Sequence, residues 1–85
     1  MKMFNDLVKL LKENINKKIS ASELDKLTNK LIEEGYEETI EDIGDYVFRI
    51  NFLKNKQKVL FIDYAANIFN ETVTVKNVRL YLENI

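Results

Sequence analysis

The sequence predicts an α+β fold: two N-terminal helices, joined as a helical hairpin, packed on one face of a three- or four-stranded antiparallel β-meander. Three observations predict it. Apolar residues recur at helical spacing as far as Leu31. After Gly35 the apolar period drops from about 3.6 to 2. No proline, linker, repeat or low-complexity segment interrupts the 85 residues, so they read as a single domain, 1–85.

The first helix is expected from Lys2 to Asn16. Phe4, Leu7, Val8, Leu11 and Ile15 form one apolar stripe, while Asp6, Lys9, Lys12 and Glu13 take the other faces. The connection "NKKI" is short, which predicts an antiparallel helical hairpin. Ser20 followed by Glu23 is a capping box that opens the second helix. Ala21, Leu24, Leu27 and Leu31 make its buried stripe. Gly35 supplies the left-handed residue that ends it, with Tyr36 folding back onto Leu31.

"YVFRINFL", Tyr46 to Leu53, places Tyr46, Phe48, Ile50 and Phe52 on one face. "KVLFIDY" follows after "KNKQ", so the two are expected to form a hairpin with Asn55 in the left-handed region. A three-residue loop pairs Phe52, Ile50, Phe48 and Tyr46 with Lys58, Leu60, Ile62 and Tyr64. That register keeps one face apolar and is the one expected. "ETVTVKNVRLYLENI" alternates in two opposite phases, so Lys76–Asn77 marks a bulge or tight turn in a strand. Val78, Tyr81, Leu82 and Ile85 also fit helical spacing, but β-branched and aromatic content favours strand. "YEETIED" fits either an edge strand or a short helix carrying Tyr36, Ile40 and Ile43 inward.

Composition narrows function by exclusion. With 46% hydrophobic and 32% charged residues the chain can fold. It lacks histidine and cysteine, which removes the usual general bases, nucleophile partners and thiolate metal sites. Its two serines, Ser20 and Ser22, stand at a helix start, where capping accounts for them, and two glycines are too few for a phosphate-cradling loop. Glu41, Asp42 and Asp45 could offer oxygen ligands to Ca²⁺ or Mg²⁺, but their spacing does not match an EF-hand loop. The expectation is therefore no enzyme, no catalytic residues, no cofactor and no metal. No apolar run is long enough for a membrane span, and no signal peptide is recognisable. Absence of cysteine fits a reducing compartment, which points to the cytoplasm. The bias toward Lys, Asn, Ile, Glu and Tyr, with two arginines, is that of AT-rich codons, as in a low-GC bacterium or one of its mobile elements.

Charge is segregated along the chain. Residues 1–30 hold seven lysines against four acids, and residues 51–85 hold five bases against three acids. Residues 31–50 hold seven acids against Arg49 alone. The acids Glu33, Glu34, Glu37, Glu38, Glu41, Asp42 and Asp45 fall within thirteen residues free of any base. Glu33 and Glu34 lie at the negative end of the second helix, where carboxylates cost roughly 0.3–1 kcal/mol each. A run that opposes local stability suggests a role outside the core. If compact, it approaches the charge density of one nucleic-acid strand, about one charge per 3.4 Å. Such a surface could occupy the basic groove of a nucleic-acid-handling protein. The bland alternative is a solvated face that aids solubility.

A second candidate surface is the sheet face away from the helices, where Val47, Leu53, Val59 and Phe61 form an apolar patch suited to a homodimer. Two lysine clusters, Lys9, Lys12, Lys17 and Lys18, and Lys54, Lys56 and Lys58, are the only basic candidates. Helix-dipole and hairpin-tip solvation account for them, and the pI near 5.4 argues against direct nucleic-acid binding. In size, acidity and lack of catalytic residues the chain looks like small phage-encoded inhibitors, including anti-CRISPR proteins that mimic DNA; the likeness is one of style and no motif carries it. It implies a non-catalytic interaction protein presenting the acidic run to a basic partner. The alternatives are a small regulatory domain that dimerises through its open sheet face, and a lysine-based nucleic-acid binder.

Overall fold

The computed structural model describes residues 2–81, with side chains from Phe4 onward. Among them lie two helices and five strands, in the order α1 (Lys2–Glu13), β1 (Lys18–Ser20), α2 (Ala21–Glu33), β2 (Glu37–Gly44), β3 (Val47–Lys54), β4 (Gln57–Asn67) and β5 (Thr72–Leu80). The strands form one antiparallel sheet in the order β1-β5-β4-β3-β2. The α+β class stands, but the expected architecture needs correction. The sheet has five strands, not three or four, and the helices are not joined as a hairpin, because β1 intervenes.

The reason lies in "NKKIS". α1 stops at Glu13, and Asn16 turns the chain in the left-handed region at φ +67°. Its amide donates to the Val75 carbonyl at 2.7 Å, which lays the following residues along β5. Lys18, Ile19 and Ser20 then pair with Thr74, Val73 and Thr72. Ile15 and Ile19, read as parts of a stripe and a connection, both pack against the core.

α2 follows the expected chemistry. The Glu23 amide donates to Ser20 Oγ at 3.1 Å. At the other end Gly35 takes φ +96°, its amide donates to the Ile32 carbonyl at 3.0 Å, and the Tyr36 amide reaches the Leu31 carbonyl at 3.1 Å. That pair of bonds is a Schellman ending. Tyr36 stacks on Phe4, ring centroids 5.4 Å apart, so the end of α2 is tied to the start of α1.

The β3–β4 hairpin turns through two residues, Asn55 and Lys56, at φ +52° and +66°. Two positive values are the signature of a type I′ turn. The expected three-residue register is off by two: Phe52, Ile50 and Phe48 pair with Leu60, Ile62 and Tyr64. Tyr46 belongs to the β2–β3 turn, not to β3. A bulge at Val59 supplies the missing phase change, so one face stays apolar without the longer loop. The bulge expected at Lys76–Asn77 is present: Asn77 pairs with Asp63 and Val75 with Tyr64, leaving Lys76 extra. Leu82 and Ile85, invoked for a helical alternative, lie outside the described residues; Thr72–Leu80 is strand.

One core joins Leu7, Val8 and Leu11 of α1 and Leu24 and Leu31 of α2 to Ile50, Phe52, Leu60, Ile62, Val73, Val75 and Val78. Each such side chain contributes about 2 kcal/mol of transfer free energy on burial. The helices meet chiefly β1 and β5, at one side of the sheet. β2 is the opposite edge, and all eight of its residues are exposed.

Candidate functional site

β2 carries the middle of the acidic run, and its geometry decides what the run can do. Pairing with β3 places Glu38, Ile40 and Asp42 across from Phe52, Ile50 and Phe48, on the helix side of the sheet. Glu37, Thr39 and Glu41 lie across from Leu53, Asn51 and Arg49, on the other side. Adjacent acids therefore point to opposite faces. On either face two carboxylates stand four residues apart, or about 13 Å. Glu33 ends α2, Glu34 is its C-cap, and Asp45 lies in the β2–β3 turn. All seven acids are exposed, but the structure spreads them over two faces, a helix end and a turn. Spread in this way, the acids are not compact, and their charge density falls well below one phosphate per 3.4 Å of axis.

Individual acids have local partners. Asn51 donates its side-chain amide to Glu41, and the Gly44 amide donates to Asp42 Oδ1 at 2.9 Å. Lys54 Nζ donates to the Glu34 carbonyl at 3.0 Å and sits 4.5 Å from the centre of the Tyr36 ring. A cation thus offsets the carboxylates gathered at the negative end of α2. Strand alternation aims Glu41 and Asp42 apart, and among the described residues no three acids converge on a metal-sized site.

Between the carboxylates stand large apolar side chains. Ile40 is 56% exposed, Ile43 45% and Tyr46 61%. Tyr46 occupies the left-handed region at φ +63°, unusual for a bulky residue. Sequence reading missed the apolar group next to it. Ile68 and Phe69, 63% and 91% exposed, top the β4–β5 loop and line a cavity of about 470 Å³ with Tyr46, Ala65 and Ala66. The loop is braced: the Phe69 amide donates to Asn67 Oδ1 at 2.9 Å, and Thr72 Oγ1 donates to Asn70 Oδ1 at 2.7 Å. The signal was "NIFN", two bulky apolar residues between asparagines that make the turn.

The sheet face away from the helices differs from the expected apolar patch. Val47, Leu53, Val59 and Phe61 are all half-buried, and Val59 is the bulge residue. Between Val47 and Phe61 stands an ion pair in which Arg49 donates to both Asp63 oxygens, at 2.7 and 3.0 Å. Arg49 lies 4.1 Å from the centre of the Phe61 ring. Tyr81 meets Phe61 edge-on at 5.4 Å and donates its hydroxyl to Asn51 Oδ1 at 2.6 Å. The bond to Asp63 is the main reason the Arg49 guanidinium is held above its ordinary pKa, against a smaller opposing effect of burial. Asn51 and Asp63, 1% and 4% exposed, are satisfied within this cluster. Of the hairpin lysines, Lys54 is engaged as above and Lys58 lies 6.0 Å from the centre of the Tyr81 ring.

No helix among the described residues is long and apolar enough to cross a membrane. Comparison with protein-family models, curated proteins and solved structures finds no match to this chain.

Proposed function

We propose that this chain is a non-catalytic protein–protein interaction module, a small inhibitor of phage or mobile-element type. It presents the β2 edge and its flanking turn to a basic, nucleic-acid-handling protein in the cytoplasm of a bacterial host. The observation that carries the reading is the mixing of Ile40, Ile43 and Tyr46, all at least 45% exposed, with Glu37, Glu38, Glu41, Asp42 and Asp45. An acidic face that served solubility alone would have no use for three large exposed apolar groups, whereas partner surfaces combine apolar anchors with a charged rim. The spread of the carboxylates favours recognition by charge and apolar contact together over a close copy of phosphate spacing.

Homodimerisation through Val47, Leu53, Val59 and Phe61 is the weaker reading, since the Arg49–Asp63 pair divides that patch and Tyr81 lies against Phe61. The test is capture from bacterial lysate on immobilised protein, wild type against a variant with Glu37, Glu38 and Glu41 changed to Gln and Asp42 to Asn. Proteins retained by wild type, displaced by duplex DNA and moderate salt and lost on the variant would support the proposal. The same proteins retained by both would end it.

A further inference from the structure

We infer that β2 takes up a basic, extended segment of the partner as a sixth strand of the sheet; this rests on the acidic-surface reading above and specifies how the surface is used. β2 is eight residues long, pairs with β3 alone and is exposed throughout. Its outer edge therefore offers a row of backbone donors and acceptors with no strand beside it among the described residues. The opposite edge is three-residue β1 and, beyond it, the Lys76–Leu80 part of β5, which carries Lys76 and Arg79 and no acid and so does not select a basic strand.

Charge decides which strand can add. β2 carries Glu37, Glu38, Glu41 and Asp42 and no base. A second copy adding edge to edge would set carboxylates against carboxylates on both faces, which penalises self-pairing. A strand bearing bases gains on both faces for the same reason, so a single feature repels copies and selects the partner. The pattern sets the complement. Opposite Asp42, Glu41, Ile40, Thr39, Glu38 and Glu37, an antiparallel strand places two bases, an apolar residue, a hydroxyl residue and two more bases. The apolar residue would cover Ile40, whose 56% exposure the fold leaves unexplained. Main-chain bonds then supply affinity and the side-chain pattern supplies choice.

The test uses a labelled synthetic peptide with that six-residue pattern, Lys for bases, Val for the apolar position and Thr for the hydroxyl, with neutral flanks. A second peptide is identical but N-methylated at every internal amide, which keeps the charge and removes the backbone donors. Fluorescence anisotropy against the intact protein should show the methylated peptide weaker by about tenfold or more. Amide exchange should slow across residues 37–44 with the first peptide only. Equal affinities for the two peptides, or no binding of either at millimolar concentration, would overturn strand addition. Equal capture of DNA-displaceable proteins by wild type and by the neutralised variant is a separate result, and it overturns the acidic-surface reading itself.

Discussion

Gly35 and Tyr46 occupy the same side of backbone space, at φ +96° and +63°, for opposite reasons. Gly35 is there to end α2, and the two Schellman bonds depend on that angle. A Cβ at Gly35 would stand 3.8 Å from Lys54 Nζ, an ordinary contact, so the cost of a side chain is in the backbone and not in a clash. Gly35→Val should destabilise by about 1–2 kcal/mol, since a β-branched residue resists the left-handed region. Tyr46 bears that cost while 61% exposed, so its side chain gives the fold little in return. Tyr46→Gly should stabilise by about 1 kcal/mol and weaken partner capture. Thermal melts of the two variants should move in opposite directions. An unchanged melt for Gly35→Val would mean that the end of α2 is held by something other than its glycine. The turns are legible unevenly: the sequence predicts Asn55 in the left-handed region, whereas the alternating run from Tyr46 predicts a strand there and the chain turns instead.

Among the elements, β2 combines an open edge with a charge pattern that opposes self-pairing. Eight exposed residues with Ile40 and Ile43 would be a hazard on a neutral edge. Two carboxylates on each face make self-pairing repulsive. Their replacement by Gln and Asn should keep the fold, because none is buried and the amides preserve an oxygen acceptor for Asn51 and for the Gly44 amide. It should also release self-association. Analytical ultracentrifugation of the quadruple variant should show dimers or larger species at concentrations where wild type sediments as one smaller species. A variant that sediments like wild type would show that the acids do not guard the edge. The strand itself was an open choice in the sequence, since "YEETIED" has no clear period, and pairing with the strongly alternating β3 settles it.

For the molecule as a whole, pH links the core to its charged surroundings. Burial, and then the Glu34 charge, raises the Tyr36 phenol above its ordinary pKa. Burial, and then Asp25 and Glu38, does the same for Tyr64. In both cases the fold favours the neutral phenol. Their contribution is fully present below the ordinary value of about 10 and is lost as pH rises through the higher folded values. The melting temperature should therefore be insensitive to these groups up to about pH 9 and fall beyond 10. The double variant Tyr36→Phe, Tyr64→Phe should fall less steeply over that alkaline range. Identical slopes for wild type and variant would remove the phenols as the cause. The two turns flanking β3, at Asp45–Tyr46 and Asn55–Lys56, lie at opposite ends of that strand.

What the sequence determined by itself was local. The Ser20 cap, the Gly35 ending, the apolar stripes of both helices and the bulge near Lys76 each depend on residues a few positions apart, and their chemistry acts within a turn or two. What the tertiary structure decided depends on partners distant in the chain. β1 exists because Lys18 to Ser20 meet Thr74 to Thr72, and three residues carry no strand signal of their own. The hairpin register turned on a bulge at Val59, since a two-residue turn plus one extra residue preserves the same apolar face as a different loop. The acidic run was visible at once, but its division between two faces followed only from pairing with β3. Ile68 and Phe69 stand out as an exposed apolar group only because the fold leaves them uncovered, since exposure is a property of the packed chain and not of the residue.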